Sequence, residues 1–314
     1  MDKHILLLAT TNDFLLKFEA DNVSLLQAMG YTVHYAANME EPDYISDRER
    51  IRAMGVLPHH IAIARSPYLV EGNRRALNQV LALIRRWGIC AIHCHTPVGG
   101  LVGRLAGRLS PAKPVVVYTA HGFHFYRGAP LYNQLAFYPV EWALARYTDI
   151  LATINAEDYR AARRLPIKRG GKVFRLPGAG LNRRIFAPLP GRERQALRRE
   201  LGVGPEDFLL LSLGELNLNK NHQVVLEALS LLGQRPGGLK GIRYGICGEG
   251  FARPRLEEEI RRRGLGEIVT LYGYRRDIPR LLGCADATVF PSRREGLGMA
   301  GLESLAMGVP VIAA

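Results

Sequence analysis

Residues 285–314 read ADATVFPSRREGLGMAGLESLAMGVPVIAA, and this stretch decides the fold class. An apolar run at 287–290 is followed by a turn with Pro and Gly, an apolar helical segment and a second apolar run at 309–313. Strand, turn, helix and strand in this order are typical of a parallel α/β sheet. A turn that opens directly into a helix leaves backbone N–H groups unpaired at the positive end of the helix dipole. We therefore expect an anion site here, where glycines let a phosphate approach the backbone.

Two glutamates flank this turn. Glu295 precedes the helical segment, and Glu303 lies about a turn and a half inside it. Both side chains can reach a polar ligand that lies across the start of the helix. Carboxylates accept sugar hydroxyls well, at roughly 1.5–3 kcal/mol for a hydrogen bond to a charged group. The arrangement suits a nucleotide-sugar, with its phosphates at the helix start and its hydroxyls on the carboxylates. The alternative is a pair of solvated surface glutamates.

Three upstream segments accompany this Glu-x7-Glu pattern. They are TAHGFHFYRGAP (119–130), YPVEWALARYTDILATINAEDYRAA (138–162) and LGELNLNKNHQ (213–223). Together with the C-terminal stretch they resemble the retaining glycosyltransferases of family 4, in the subgroup that builds capsular and exopolysaccharides. The resemblance runs from about residue 5 to residue 314. It implies the GT-B fold, an α/β architecture in which two Rossmann-like, doubly wound domains face a cleft.

Length and composition favour the same architecture. The chain has 314 residues, 47% of them hydrophobic. This is enough for two domains, and no stretch approaches the ~20 apolar residues that a membrane helix needs. The opening run HILLLAT lacks a cleavage pattern, so we interpret it as a buried first strand and not as a signal peptide. Four cysteines in a chain of this length do not make a disulfide scaffold, which favours a reducing cytoplasm.

The net charge of +13 is concentrated in the N-terminal half. Residues 1–186 carry 24 Lys and Arg against 14 Asp and Glu, whereas residues 187–314 carry 18 against 15. A positively charged N-terminal half can attract either nucleic acid or an anionic membrane surface. No nucleic-acid-binding motif accompanies the charge. We therefore expect no nucleic-acid partner and favour a cytoplasmic protein that lies peripherally at the inner face of the cell membrane.

Strand-like and helical runs alternate along the whole chain, as in doubly wound parallel sheets. The Pro- and Gly-rich segment 177–190 is the best candidate for a linker. We predict an N-terminal, acceptor-side domain over residues 1–183 and a nucleotide-sugar-binding domain over residues 184–314. The predicted strands are 5–9, 32–36, 61–64, 89–93, 115–119, 150–153 and 173–176 in the first domain, and 208–213, 244–247, 269–272, 287–290 and 309–313 in the second.

The resemblance assigns donor-binding roles to residues that follow the strands of the second domain. Lys220 would pair with the donor diphosphate, and Glu303 would hold the donor ribose. Glu295 would be catalytic and would orient the sugar hydroxyls at the reacting face. The remaining donor contacts would come from the backbone amides of Leu297, Gly298 and Met299, from the turn at Gly248, and from Tyr274 and Arg275 near the base.

In the first domain, His121 follows the predicted strand at 115–119. By resemblance it approaches the donor sugar and the β-phosphate as a second catalytic residue, since an imidazole can donate to a hydroxyl or a phosphate. His95 lies at another strand end, where we expect it to line the acceptor side. Thr11 and Asn12 lie where the family has a Gly-rich acceptor loop, although this loop contains no glycine.

A zinc site among Cys90, His93, Cys94 and His95 is rejected. In a strand the two cysteines share one face and the two histidines share the other, so the four side chains do not converge on one ion. We expect no metal and no other cofactor. The departing diphosphate would be stabilised by Lys220 and by the amide groups at the helix start.

The predicted activity is metal-independent, retaining transfer of a sugar from a nucleotide-sugar, most simply UDP-linked, to a lipid-linked sugar acceptor during surface polysaccharide assembly. Two alternatives stay open. One is a nucleotide-sugar epimerase of similar two-domain shape, and the other is a non-catalytic nucleotide-sugar-binding remnant. In the resembling family the C-terminal domain continues for several more elements. The resemblance therefore implies that this chain is a fragment whose second domain is incomplete.

Overall fold

Two units, Met1–Gly180 and Leu181–Ala314, make up the chain in the computed structural model, which describes residues 3–40, 48–178 and 180–314. The predicted linker, residues 177–190, spans the division between them, and its residue 179 lies outside the described residues. Each unit is built on one parallel sheet with helices between its strands. The predicted α/β class with two Rossmann-like sheets is therefore confirmed.

Within the described residues of the first unit, seven parallel strands form one sheet. They are β1 (Lys3–Thr11), β2 (Tyr31–Asn38), β3 (Leu57–His60), β4 (Ile89–His95), β5 (Val115–Ala120), β6 (Ile150–Thr153) and β7 (Lys172–Arg175). The strand order is β3-β2-β1-β4-β5-β6-β7, so β1 lies between β2 and β4 and the sheet grows in opposite directions from it. Its helices are a π-helix (Leu15–Glu19), α1 (Ala20–Ala28), α2 (Arg48–Ala53), α3 (Val70–Trp87), α4 (Pro97–Leu109), α5 (Leu131–Ala145) and α6 (Ala156–Ala162).

Strand β1 is a continuous apolar run because helices cover both faces of its sheet. Leu6 and Leu8 belong to one buried cluster, and Ile5 and Leu7 belong to another. Helix α4 lies very close to the sheet on the first of these faces. A Cβ atom at Gly107 would lie only 2.3 Å from a methyl group of Val116, so glycine is what permits this approach.

The second unit contains five parallel strands. They are β8 (Phe208–Leu213), β9 (Ile242–Cys247), β10 (Val269–Gly273), β11 (Ala287–Phe290) and β12 (Val311–Ala313), in the order β10-β9-β8-β11-β12. Its helices are α7 (Gly191–Glu200), α8 (His222–Gly233), α9 (Arg253–Arg262), α10 (Ile278–Cys284) and α11 (Met299–Ala306). Here β8 lies between β9 and β11, so the strand order of this sheet reverses at β8, as that of the first sheet does at β1. Across the described ranges, no helix is both long enough and apolar enough to cross a bilayer.

One predicted strand is displaced. The prediction placed a strand at 61–64, whereas β3 ends at His60. The apolar alternation is real, since Ile61 and Ile63 are both buried. The Ile61 N–H still donates to the Ala37 carbonyl of β2 at 3.0 Å, but the N–H groups of Ala62 and Ala64 bond to side chains of α3 instead of to a strand. The Ala62 N–H donates to Gln79 Oε1 at 2.8 Å, and the Ala64 N–H donates to Asn73 Oδ1 at 3.1 Å.

Candidate active site

The loops that follow β8 and β11 meet at one edge of the second sheet. The two strands are neighbours, so their carboxyl ends open side by side at the point where the strand order reverses. Asn219 ties the loops together. Its carbonyl accepts from the Arg293 N–H at 2.8 Å, and its side-chain amide donates to the Arg294 carbonyl at 2.8 Å. Open α/β sheets bind their ligands at such a switch point.

Lys220 and Glu295 form an ion pair at this switch point. The Lys220 Nζ atom lies 2.6 Å from Glu295 Oε1, and the two side chains are 20% and 25% exposed. The same ammonium group lies 5.2 Å from the centre of the Phe290 ring. The structure thus brings together the residue predicted to pair with a diphosphate and the one predicted to orient a sugar. Without a ligand, each neutralises the charge of the other.

Helix α11 begins beside this pair with unpaired backbone donors. Its N-terminal cap, Gly298, has the left-handed conformation (φ +74°, ψ +52°), which favours glycine. The Gly298 carbonyl accepts from the N–H groups of Gly301 and Leu302, at 3.0 and 3.3 Å, and this closes the first turn. The amide groups of Leu297, Gly298 and Met299 have no acceptor within the described part of the chain. These amides are free to donate to an anion, and the predicted anion site at this turn stays a prediction.

Glu303 points from α11 as a partly buried carboxylate. Burial raises its pKa above the usual range, and no hydrogen bond or cation within the described residues opposes that shift. A carboxylate that is partly removed from water without a partner is unfavourable. Hydroxyl groups of a bound ligand would offset this penalty by donating to it.

Gly248 directly follows β9, next to the loop after β8. Its N–H donates to the Gly273 carbonyl at 2.8 Å, and a Cβ atom at this position would lie 1.9 Å from the Gly214 carbonyl oxygen. Close backbone packing of three loops therefore explains the glycine without reference to a ligand. Its predicted contact with the nucleotide stays a prediction.

Tyr274 and Arg275 directly follow β10 at the same edge of the sheet. The guanidinium group of Arg275 forms a bidentate pair with the Asp277 carboxylate, at 2.8 and 2.6 Å. This pairing lowers the pKa of Asp277 and engages the Arg275 cation within its own loop. The role predicted for both residues near a nucleotide base stays a prediction.

In the first unit, the predicted histidines lie at the ends of β4 and β5, beside the end of β1: His95 is the last residue of β4, and His121 directly follows β5. These three strands are neighbours, and the switch point lies at β1. His95 Nδ1 lies 3.2 Å from His121 Nε2, and the Phe14 ring packs against both imidazoles. Burial lowers the pKa of His121 to about 4 and that of His95 well below its usual value. Both rings are therefore neutral at pH 7.

Glu19 joins this histidine cluster, although no motif in the sequence predicts that it does. It ends the π-helix, and its Oε1 atom lies 3.6 Å from His95 Nε2, which has no hydrogen-bond partner among the described residues. Burial raises the pKa of Glu19 to about 7, although Asn22 donates to its other oxygen at 2.9 Å. A π-helix frequently marks a functional site. Nothing in the segment LLKFE signals a π-helix in advance.

Thr11 and Asn12 lie where β1 ends, beside the same cluster. The Thr11 carbonyl accepts a hydrogen bond from the Tyr35 hydroxyl. The Asn12 side chain is buried, and neither its oxygen nor its nitrogen has a partner within residues 3–40, 48–178 and 180–314. Unmet hydrogen-bonding capacity of this kind is what a polar ligand or an ordered water satisfies.

Atoms that could hold a metal ion occur together at Glu19, His93 and His95, where one ligand atom from each lies within 4.8 Å of the others. The neighbouring cysteines are not part of this group. Cys94 Sγ donates to the Val117 carbonyl at 3.2 Å, and burial raises the pKa of its thiol to about 12. The rejected cysteine–histidine site does not form, and the expected absence of any metal stays a prediction.

His222 makes the stability of the second unit sensitive to acid. It begins α8, is 2% exposed, and neither ring nitrogen has a partner in the described chain. Burial, aided by the charge of Lys220, lowers its pKa from 6.5 to about 4. Between these values the unfolded state binds the proton and the folded state does not. The unfolding free energy is therefore unaffected by this residue above pH ~6.5 and decreases as the pH falls toward 4.

We expect this residue alone to lower the unfolding free energy by on the order of 1–2 kcal/mol between pH 7 and pH 5. Amide exchange of α8 peptides, corrected for the intrinsic effect of pH, measures this loss. The substitution His222→Gln should remove it, whereas the control His60→Gln, in the other unit, should not. An unchanged pH dependence in His222→Gln would contradict the assignment.

Each of the two units matches a known family of glycosyl transferases. The sequence matches the family described as "Glycosyl transferases group 1" over residues 193–314 and the family described as "Glycosyl transferase 4-like" over residues 4–154. Each match falls within one of the two units.

Two relatives extend this similarity along the chain. EpsD of Bacillus subtilis (strain 168), provisionally named a glycosyltransferase, is 38% identical over 315 residues, which cover 100% of this chain and 79% of EpsD. The UDP-Gal:alpha-D-GlcNAc-diphosphoundecaprenol alpha-1,3-galactosyltransferase of Escherichia coli is 26% identical over 274 residues, which cover 86% of this chain and 67% of that enzyme.

Solved structures show the same fold. Anabaena HepE in complex with UDP-glucose matches with a TM-score of 0.75 at 18% identity, over 99% of this chain and 80% of HepE. Sucrose-phosphate synthase from Thermosynechococcus elongatus matches with a TM-score of 0.76 at 18% identity, over 99% of this chain and 81% of that protein. At this level of identity, the likeness shows the fold alone.

Proposed function

Because this chain belongs to the group 1 glycosyl transferases, we propose that it is a retaining enzyme that moves a sugar from a UDP-linked donor to a lipid-linked sugar acceptor in surface polysaccharide assembly. One observation carries the proposal. The Lys220–Glu295 ion pair lies at the switch point of the second sheet, beside the unpaired amides that begin α11. This arrangement combines a cation and anion-binding donors with a carboxylate that can accept hydroxyls.

The choice of donor and acceptor rests on similar proteins. HepE was crystallised with UDP-glucose, and the name of the Escherichia coli relative specifies a UDP-Gal donor and a diphosphoundecaprenol acceptor. EpsD, which is similar along the whole chain, is likewise named a glycosyltransferase. The large excess of positive charge in residues 1–186 suits a lipid-linked acceptor at an anionic membrane surface, and we expect no nucleic-acid partner.

In the proposed reaction, the bond between the sugar C1 and the diphosphate oxygen breaks, and a bond from C1 to the acceptor oxygen forms on the same face. Lys220 exchanges its carboxylate partner for the departing diphosphate, whose negative charge grows during cleavage. The amides of Leu297, Gly298 and Met299 donate to the same group, so no metal is required. A donor phosphate oxygen takes the acceptor proton.

Three further residues complete the proposal. Glu295, once released from Lys220, orients the sugar hydroxyls, and Glu303 accepts from the donor ribose. His121 donates to the donor sugar or phosphate. The acceptor is held by the polar loops at the strand ends of the first unit, which contain Thr11, Asn12 and His95.

Calorimetric titration with UDP, GDP and ADP tests the donor site. We expect the 314-residue chain to bind UDP most tightly, and Glu303→Ala to weaken that binding by about tenfold or more, because a hydrogen bond to a charged group contributes roughly 1.5–3 kcal/mol. The matched control is Glu258→Ala, an exposed glutamate of α9 in the same unit. Equal affinity in the two variants would remove Glu303 from the site. Failure of the folded chain to bind any nucleotide would overturn the donor site itself.

A further inference from the structure

Helix α5 presents an apolar surface to solvent. Its sequence, LYNQLAFYPVEWALA, contains one charged residue, Glu141, and that side chain is buried. Leu131, Tyr132 and Leu135 are each 69% exposed. Single exposed apolar side chains are normal on a protein surface, whereas several neighbouring ones form a patch that indicates an interaction site. The exposed large apolar side chains that recur at the spacing of one helix face, here called the α5 face, are Leu131, Tyr132, Leu135, Tyr138 and Trp142.

The helix is anchored by its polar and aromatic contacts, which leaves the α5 face outward. Glu141 pairs with the buried Arg104 of α4, at 2.6 and 3.0 Å. The Phe137 ring stacks on His124, with 4.5 Å between ring centres. A surface helix of a soluble domain normally turns its apolar side inward and its charges outward. Here the arrangement is reversed, so the α5 face is built to be covered by something apolar.

Charge and residue type indicate what covers it. Tyr and Trp are the side chains enriched where a membrane meets water. Exposed arginines lie at both ends of the helix, Arg127 before it and Arg146 after it. The Arg146 guanidinium lies 3.5 Å from the centre of the Trp142 ring. Over residues 50–180 the chain carries 19 Lys and Arg against five Asp and Glu, which complements anionic headgroups.

We propose that α5 lies in the interface of an anionic bilayer, with the α5 face among the acyl chains and Arg127 and Arg146 at the lipid phosphates. This inference rests on the proposed function, because a lipid-linked acceptor requires the enzyme to work at a bilayer. It goes further by naming the surface that docks and the way it does so.

The two tryptophans allow a direct test with lipid vesicles. The substitution Trp87→Phe leaves Trp142, on the α5 face, as the sole fluorophore. With vesicles of phosphatidylglycerol and phosphatidylcholine in equal parts, we expect co-sedimentation, a blue shift of Trp142 emission and quenching by brominated acyl chains. With vesicles of phosphatidylcholine alone, we expect much weaker binding, because the attraction to the arginines is then absent.

A matched pair of variants separates the α5 face from exposed apolar side chains in general. Leu135→Glu should weaken binding to the anionic vesicles by about tenfold or more, since it places a negative charge in the inserted face. Leu25→Glu, at a leucine of α1 in the same unit that is 58% exposed, should bind as the parent does. Both variants should keep the UDP affinity of the parent, because neither leucine is among the residues proposed to contact the donor.

Several results would overturn the proposal. These are no binding to anionic vesicles, binding without a blue shift of Trp142, and binding that Leu135→Glu leaves unchanged. Self-association without lipid that Leu135→Glu abolishes would assign the α5 face to a second copy of the chain instead. If the chain binds vesicles with a blue shift of Trp142 emission but does not bind UDP, the proposed donor site is wrong and the docking surface is supported.

Discussion

Replacing Glu295 by Gln is expected to lower the turnover of sugar transfer by about two to three orders of magnitude while the chain stays folded. Gln keeps the size of the side chain and its hydrogen-bonding capacity but removes the charge that steadies the reacting sugar. In the structure, Glu295 also neutralises Lys220, at 2.6 Å. Its loss leaves the lysine ammonium without that competitor, so we expect UDP to bind as tightly as before or more tightly.

This opposition between turnover and affinity is the useful readout, because a merely structural role would lower both. Steady-state rates with a UDP-sugar and a lipid-linked acceptor measure the first, and calorimetry with UDP measures the second. The converse variant, Lys220→Gln, should lose UDP affinity, since it removes the cation from the diphosphate. Glu267→Gln, at an exposed carboxylate of the same unit, is the control. Near-normal turnover of Glu295→Gln would end its assignment as a catalytic residue.

The sequence predicts the residues of the proposed donor site but not the ion pair between two of them. Lys220 and Glu295 were each placed after a strand of the second domain, and both strands formed as expected. Their ion pair joins residues 75 positions apart. It exists because β11 lies beside β8 in the sheet, and strand order is a non-local property that apolar periodicity does not contain.

Two features of the structure could not be predicted from the sequence, each for its own reason. Glu19 reaches His95 through a π-helix, whose hydrogen-bond pattern has no signature in the residue pattern. The apolar residues of α5 form a helix, but the sequence of an apolar helix does not show whether it is buried or exposed toward lipid. Only the structure shows that the side of α5 that carries Glu141 is buried, because its partner Arg104 lies on another helix.

The ion pair of Arg104 and Glu141 carries the largest stability prediction. Arg104 is 1% exposed; its two terminal nitrogens donate to the Glu141 carboxylate, and its Nε donates to the Gly100 carbonyl at 2.8 Å. Replacing Glu141 by Leu leaves this guanidinium buried without its counter-charge. We expect a loss of about 3–5 kcal/mol in the unfolding free energy.

Removing both charges should restore most of that loss. In Arg104→Met with Glu141→Leu, no buried charge remains, and replacing a buried pair by apolar residues of similar size is often neutral or stabilising. Urea unfolding followed by tryptophan fluorescence measures the unfolding free energy of each variant. The signal reports on the first unit, which contains Arg104 and Glu141, because Trp87 and Trp142 both lie in it. Arg108→Met, at an exposed arginine of the same helix as Arg104, is the control and should shift stability by about 0.5 kcal/mol at most.

The cycle also identifies what holds α5 in place. Independent sites give additive losses, whereas a coupled pair gives a double variant more stable than Glu141→Leu alone. Additive losses would show that Arg104 and Glu141 act separately and that packing, not charge, anchors the helix. Glu141 is the sole charged side chain of α5. A coupled result would therefore mean that one buried carboxylate determines which side of this helix meets the protein and leaves the opposite, apolar side outward.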